Sequence, residues 1–447
     1  MSAPVVVKDR VAVYSLGCSK NLVDAERLMR MFESAGIAVA FEPDLEGEWF
    51  DTDDRIHVVV NTCGFIGDAQ EESVNEILAW AEARTAGDID GLYVMGCLSQ
   101  RFADELRTEI PEVDAWRGKT DWASLVGLIT SRHPGSAPWD RVLTTPRHHA
   151  YIKIAEGCDR MCAFCAIPLI TGRYRSRPVE EIVEEARALV ARGVRELNVI
   201  AQDLTSYGKD LYGRVEIARL VDALADVEGV EWIRLHYAYP NEFPMDLLDV
   251  MARRPNVCKY LDIALQHASD KVLSNMRRHI TLRETEELLA EIRRRVPGIH
   301  LRTTLMTGFP GEGEEEFAEL LDFVRRQRFE RMGAFAYSEE QGTYGALHFE
   351  DSIPQEEKER RRDLLMEAQQ EISAEIQAAK VGKTFKVVID REEPDYYVGR
   401  TEFDSPEVDP EVLVEKTRPL ARGEFCNVTI TQAYPFELLG RVADDER

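Results

Sequence analysis

The chain has 447 residues, 44% hydrophobic and 30% charged, and sets 55 Lys and Arg against 81 Asp and Glu for a net charge of −26. At roughly 150 residues per domain this is two or three packed cores. No apolar run approaches the roughly 18 to 20 residues that span a bilayer, so collagen, coiled coil, disulfide miniprotein and transmembrane bundle are all excluded.

The first region alternates strand and helix. Val11–Leu16 is a short apolar run, Asn21–Ala35 has helical spacing ending at Gly36, and His57–Thr62 reads as a buried strand. Asp68–Ala83 is a helix with Val74, Ile77, Leu78 and Ala81 on one face, and Gly91–Met95 is a third strand. This alternation predicts a parallel sheet with right-handed crossovers. His133–His149, with three prolines and little periodicity, reads as a linker.

From Tyr151 to Ala336 strands and helices alternate again. The strands are Tyr151–Ala155, Glu196–Ala201, Trp232–His236, Tyr260–Ile263, His300–Met306 and Met332–Ala336. The helices between them are Val179–Arg192, Ile217–Val227, Met245–Arg253, Thr281–Arg295 and Glu314–Gln327. Six such units predict a complete or partial β/α barrel. Pro354–Lys380 is one long amphipathic helix. Beyond Gly382 the period falls to two, in Phe385–Ile389, Tyr396–Thr401, Val412–Val414, Phe425–Thr431 and Phe436–Val442, which predicts a small antiparallel β-barrel. The expected fold is α/β, with units at 1–143, 144–376 and 377–447.

Charge and cysteines narrow the chemistry. A field of this sign repels polyanions and attracts cationic partners, so nucleic acid is not favoured and no membrane is expected. Met1–Arg10 shows no basic patch followed by an apolar core. The expected compartment is therefore the reducing cytoplasm, where eight cysteines are read as metal ligands or catalytic groups.

The sharpest signal is Cys158-Asp-Arg-Met-Cys162-Ala-Phe-Cys165, just after the strand Tyr151–Ala155. Three thiolates on one loop hold three corners of a cubane iron–sulfur cluster, and with no fourth local cysteine one iron stays open. An open iron can chelate the amino and carboxylate groups of S-adenosylmethionine and pass it an electron that breaks a carbon–sulfur bond. Phe164, beside the last thiolate, is placed to pack on the adenine ring. The alternatives are a zinc site or three structural thiols. Zinc knuckles usually pair CxxC with a second CxxC or a His pair, and neither is present.

A second set is a geometric inference. Cys18, Cys63 and Cys97 each sit just past the carboxyl end of a predicted strand of one parallel sheet. Ligands collect at such ends. If the strands are neighbours, the three thiols converge on a second site with one open iron, flanked by Asn21, Asp24, Glu26 and Asn61. Cys258 and Cys426 belong to neither set and read as structural. One site would generate a radical from S-adenosylmethionine, and the other would hold sulfur for delivery.

These residues resemble the methylthiotransferases, a branch of the radical S-adenosylmethionine superfamily. The resemblance covers nearly the whole chain: SLGCSKNLVDAE, NTCGF and MGCLSQR first, EGCDRMCAFCAIPLITGRYRSRP next, then a barrel like the TRAM domain. It implies two 4Fe–4S clusters, reductive cleavage of one S-adenosylmethionine and use of another as methyl donor, a reducing electron donor and a sulfur donor. SLGCSKNLVD, IAQDLTSYGKDLYG, HYAYP and ALQHAS look like the branch that modifies an aspartate β-carbon in the twelfth small-subunit ribosomal protein. The alternative branch modifies adenosine in transfer RNA and more often reads GCQMN and LQSGS at these places.

Charge favours the first independently. Lys383–Arg447 holds nine basic and fifteen acidic residues, suiting a basic ribosomal protein better than RNA. The resemblance also suggests that Glu196 contacts the amino group of S-adenosylmethionine, and that Gln202 and Arg302 hold its ribose or carboxylate. Gln266 and His267 either face the substrate or form a core pair. GFPGEGEEEF lacks the GK[ST] of a phosphate loop. His148 and His149 fall in the linker and are not expected to be ligands.

Overall fold

The computed structural model describes residues 8–45, 47–130, 135, 137 and 139–443. Met1–Val7 of the N-terminal segment, and His133, Pro134, Ser136 and Pro138 of the linker, lie outside the described residues.

The first unit runs β1 (Asp9–Ser15), α1 (Ser19–Ser34), β2 (Ala38–Phe41), β3 (Arg55–Thr62), α2 (Gly67–Ala86), β4 (Gly91–Gly96), α3 (Cys97–Glu109), β5 (Ala115–Trp116) and α4 (Trp122–Ile129). All five strands are parallel, in the order β2-β1-β3-β4-β5. The central β3 is buried from Ile56 to Thr62, as a strand covered by helices on both faces must be. β1, β3 and β4, which precede the three separated cysteines, are adjacent.

The second unit runs β6 (His149–Lys153), β7 (Ala155–Glu156), α5 (Ile167–Thr171), β8 (Arg175–Ser176), α6 (Val179–Ala191), β9 (Glu196–Ile200), α7 (Lys209–Tyr212), α8 (Ile217–Ala225) and β10 (Trp232–Ala238). It continues through α9 (Met245–Arg253), β11 (Val257–Ile263), α10 (Asp270–Asn275), α11 (Leu282–Arg295), β12 (His300–Thr307), α12 (Glu314–Gln327), β13 (Arg331–Ala336), α13 (Tyr344–His348) and α14 (Gln355–Ala378). Six parallel strands take the order β6-β9-β10-β11-β12-β13, and β6 and β13 remain edges, so the barrel is partial. The outer face packs Ile152, Leu197, Leu235 and Leu261 under the helices. At alternate positions the inner face carries polar groups, among them Lys153, Asn198, His236 and Asp262, in keeping with the two-residue period of a strand.

The third unit is a closed barrel, β14 (Thr384–Glu392), β15 (Tyr396–Thr401), β16 (Glu411–Glu415), β17 (Phe425–Ala433) and β18 (Glu437–Val442). One pair, β16 with β18, is parallel, and the others are antiparallel.

This barrel docks on the amino-terminal ends of the second unit's strands. Trp232 and Phe425 meet edge-on at 4.9 Å. Arg400 pairs with Glu196 at 2.8 Å and with Asp390 at 2.7 Å, and Arg234 donates to the Glu402 carbonyl at 2.6 Å. Arg302 pairs with Asp409 at 2.6 Å. Two sequence expectations are corrected here. Glu196 is the first residue of β9 and Arg302 the third of β12, both at the strand ends opposite the cysteines. Both are consumed by charge pairs with the barrel or its neighbours, so neither is free to hold S-adenosylmethionine.

This junction predicts acid sensitivity. Burial, then the Arg400 charge, lowers His149 from its usual 6.5 to about 4, and its Nδ1 is sealed without a partner. Burial opposes the Glu196 carboxylate, but Arg400 and Arg234 outweigh it and bring the pKa to about 2. Both folded values lie below the unfolded ones, so the unfolded chain binds more protons as pH falls. The stabilisation is complete above pH 6.5 and is lost through His149 down to about 4 and through Glu196 down to about 2. Urea midpoints should fall across this range, and His149→Gln should flatten the upper part, between 6.5 and about 4. Equal slopes in both proteins there would refute the assignment.

Candidate functional site

The loops that follow β1, β3 and β4 are packed against each other. Cys18 immediately precedes α1, Cys63 follows β3, and Cys97 opens α3. Gly17 has φ +90°, and a Cβ there would lie 2.6 Å from Cys63 Cβ and 2.8 Å from its Sγ. Only glycine permits that approach. Asn21 ties the loops together, donating from Nδ2 to the Leu16 and Thr62 carbonyls, each at 3.0 Å. Asn61 donates to the Asn21 carbonyl at 2.9 Å. The loops that carry Cys18, Cys63 and Cys97 thus meet at the carboxyl ends of β1, β3 and β4, with Asn21 and Asn61 as braces.

The thiols act on each other electrostatically. Burial, followed by Cys18 and Cys97, raises Cys63 to about 11. Burial also raises Cys97. Cys18, the exposed member, is lowered, because Lys20, Lys119 and two backbone N–H groups outweigh the surrounding protein.

The second triad lies on the loop between β7 and α5. A Cβ at Gly157, where φ is +88°, would lie 2.1 Å from the Arg173 carbonyl oxygen, so this tight entry also needs glycine. The loop is anchored by Cys158 N–H to the Gly172 carbonyl at 3.2 Å and Ala163 N–H to the Met276 carbonyl at 3.0 Å. Burial raises Cys158 to about 12, and burial and the Cys162 charge raise Cys165 further. Arg278 Nη1 lies 3.3 Å from Cys162 Sγ and stacks over Tyr239, whose hydroxyl is 3.7 Å from the same sulfur.

The two triads are neighbours. Cys97 packs against Ala166, the residue after Cys165, and Ile170 of α5. A cavity of about 680 Å³ opens between the units, with Phe65 and Ile66 from beside Cys63 on one wall and Phe164 and Met306 on another. Among the described residues no three His, Cys, Asp or Glu side chains converge tightly enough for a single metal ion. A cubane cluster instead spreads its thiolates around a whole cage, and the soft sulfur donors match iron–sulfur chemistry. Cys258 and Cys426 pack in apolar clusters at and within the C-terminal barrel, so neither is a fourth ligand.

A buried ladder of charges joins the sites. Lys119 Nζ lies 3.7 Å from Cys97 Sγ, 3.0 Å from Asn21 Oδ1 and 3.2 Å from Asp24 Oδ2. Asp24 also holds Lys153, which pairs with Glu156 at 2.7 Å, and Glu156 accepts from Gln202 Nε2 at 2.5 Å. Burial opposes the Lys119 ammonium, yet Asp24, Cys97 and Glu156 hold its pKa well above the usual value. Gln202 is thus at the carboxyl end of β9, with Oε1 sealed and unpartnered. Gln266 lines the cavity, whereas His267 is buried on Glu312 at 3.0 Å. His148 pairs with Asp390 at 2.7 Å, far from both triads.

Sequence reasoning missed Lys119, Lys153, Tyr239 and Arg278. Lys153 carries a signal, being a charge that directly follows the apolar run Ala150–Ile152 of the strand leading to the cysteine loop. Lys119 and Arg278 lie in loops and reach the sulfurs only through the fold.

Three family models match: the radical SAM superfamily over residues 152–324, the TRAM domain over 381–443, and an uncharacterised family, UPF0004, over 10–118. The chain is 57% identical to the ribosomal protein uS12 methylthiotransferase RimO of Parabacteroides distasonis, covering 97% of this chain and 99% of that one. It is 58% identical to the protein of the same name from Porphyromonas gingivalis, covering 98% and 100%. In fold it is similar to the radical S-adenosylmethionine methyltransferase TsrM of Kitasatospora setae, solved with cobalamin and a 4Fe–4S cluster bound. That match has a TM-score of 0.59 at 16% identity over 76% of this chain and 74% of that one.

Proposed function

The chain belongs to the ribosomal protein uS12 methylthiotransferase family, and from that premise we propose that it places a methylthio group on the β-carbon of an aspartate in uS12. It is a radical S-adenosylmethionine enzyme, and its cofactors are S-adenosylmethionine and 4Fe–4S clusters. No helix among the described residues is long and apolar enough to cross a membrane. The enzyme works in the cytoplasm, with a reducing electron donor and a sulfur donor as further partners. Its units divide at 1–143, 144–376 and 377–447.

The observation that carries the reading is the contact between two three-thiol sites across one cavity. Cys158, Cys162 and Cys165 hold one cluster, and Cys18, Cys63 and Cys97 hold the other. When bound, such clusters would supply the electron for S-adenosylmethionine cleavage at one site and a sulfur anchorage at the other. Arg278 at the Cys162 sulfur and Lys119 at Cys97 place positive charge beside the thiols of the two sites, and Tyr239, which donates to the Arg278 carbonyl at 3.0 Å, braces the first. Phe164 on the cavity wall would offer S-adenosylmethionine an aromatic face, and Gln202, at the carboxyl end of β9, would offer it a carbonyl that has no partner. The apolar walls of the cavity limit water around a reactive species.

The test sets anaerobically reconstituted enzyme against uS12 and against transfer RNA, with mass spectrometry of both. A methylthio gain on a uS12 aspartate is expected. A gain on RNA alone would overturn the proposal.

A further inference from the structure

Lys20 is the second residue of α1, two positions after Cys18, and is only 9% exposed. Among the described residues its ammonium has no hydrogen-bond or ion-pair partner. Its Nζ sits 3.5 Å from the centre of the Tyr237 ring. The other buried lysines at this interface, Lys119 and Lys153, are each tied to carboxylates.

An aromatic face replaces only part of the hydration that a buried ammonium loses, so such a group calls for an anion. Tyr237 is held in place at a cost. Its φ is +68°, where non-glycine residues are strained, and it sits at an irregularity in the pairing of β10 with β11. Lys20 lies two residues from Cys18 on one side, and on the other it rests on Tyr237, which directly follows His236 of the inner face in β10. Lys20 therefore stands between the sulfur-holding triad and the interior of the partial barrel. On that inner face Asn198 Nδ2 is also sealed without a partner, a further donor awaiting an acceptor.

We propose that the Lys20 ammonium, seated on Tyr237 between the Cys18 triad and the barrel interior, is the counter-charge for the side-chain carboxylate of the substrate aspartate. This rests on uS12 aspartate being the substrate. The β-carbon is one bond from that carboxylate, so fixing the carboxylate fixes the carbon that is modified. The adenine ring of the alternative substrate carries no such anion and gains nothing from Lys20. Lys20 is thus a specificity-determining residue.

The experiment is a double-mutant cycle on the reconstituted full-length enzyme, measured as anaerobic binding. The ligands are uS12 and its variant with the modified aspartate, located by mass shift in the wild-type reaction, changed to asparagine. Wild type should bind the aspartate form about 10- to 100-fold more tightly, the range for a desolvated charge-assisted hydrogen bond. K20R, which keeps the charge, should retain most of that preference, and K20M should lose it. Iron and sulfide content verify that each variant is loaded, and K20Q replaces K20M if the latter does not fold. Undiminished preference for aspartate in the neutral variant overturns the role of Lys20. Failure of wild type to modify any uS12 aspartate overturns the functional reading instead.

Discussion

Replacing Cys162 with alanine is expected to abolish 5′-deoxyadenosine formation, whereas replacing Cys63 leaves it and blocks sulfur transfer. The asymmetry follows from how the two triads are held. Cys162 is the buried centre of the CxxxCxxC loop, and its sulfur is where Arg278 and Tyr239 converge. Without it two thiolates remain on a loop that has no substitute ligand, and Arg278 faces an empty position. Cys63 belongs to a different unit. The radical loop keeps its own anchors, from Cys158 to Gly172 and from Ala163 to Met276, when Cys63 is changed. Chromatography of the nucleoside product and mass spectrometry of uS12, run on the same samples, separate the two effects. Wild-type levels of 5′-deoxyadenosine from C162A, or its loss in C63A with the radical-site iron intact, would contradict the division of labour.

The cysteine logic was legible because it depends on features that sequence carries directly. The spacing of Cys158, Cys162 and Cys165 is local. The meeting of Cys18, Cys63 and Cys97 needed only one further condition, that β1, β3 and β4 be neighbours, and parallel βα topology supplies it. Strands β2 and β5 escaped notice because four and two residues are too short for periodicity to register. Glu196 and Arg302 were misplaced for a different reason. Their partners, Arg400 and Asp409, lie more than a hundred residues away in the barrel that plugs the amino-terminal strand ends. No local pattern reports that docking. Lys119 is similar, since 22 residues and a helix separate it from the Cys97 sulfur that it approaches.

The ladder between the units makes Asp24 the most consequential charge to remove for stability. It is 1% exposed and stands between two ammonium groups, Lys119 and Lys153. Asp24→Ala leaves Lys119 with no carboxylate in contact, only a neutral amide oxygen at 3.0 Å and a thiol at 3.7 Å, with Glu156 acting from farther away. Lys153 keeps Glu156 at 2.7 Å. Breaking a buried pair by deleting one partner strands an uncompensated charge and typically costs about 3 to 5 kcal/mol. Asp24→Asn should lose nearly as much, because charge rather than shape is what both lysines require. A surface control sets the scale. Glu33 pairs with Arg30 at 3.1 Å with both side chains 40% exposed, and Glu33→Ala should cost about 0 to 1 kcal/mol. Because the chain has several units, the quantity to compare is the midpoint of the first urea transition that reports on the N-terminal sheet, not one global value. A shift for Asp24→Ala no larger than for Glu33→Ala would mean that water reaches this interface and that the ladder does not hold the two thiol sites in register.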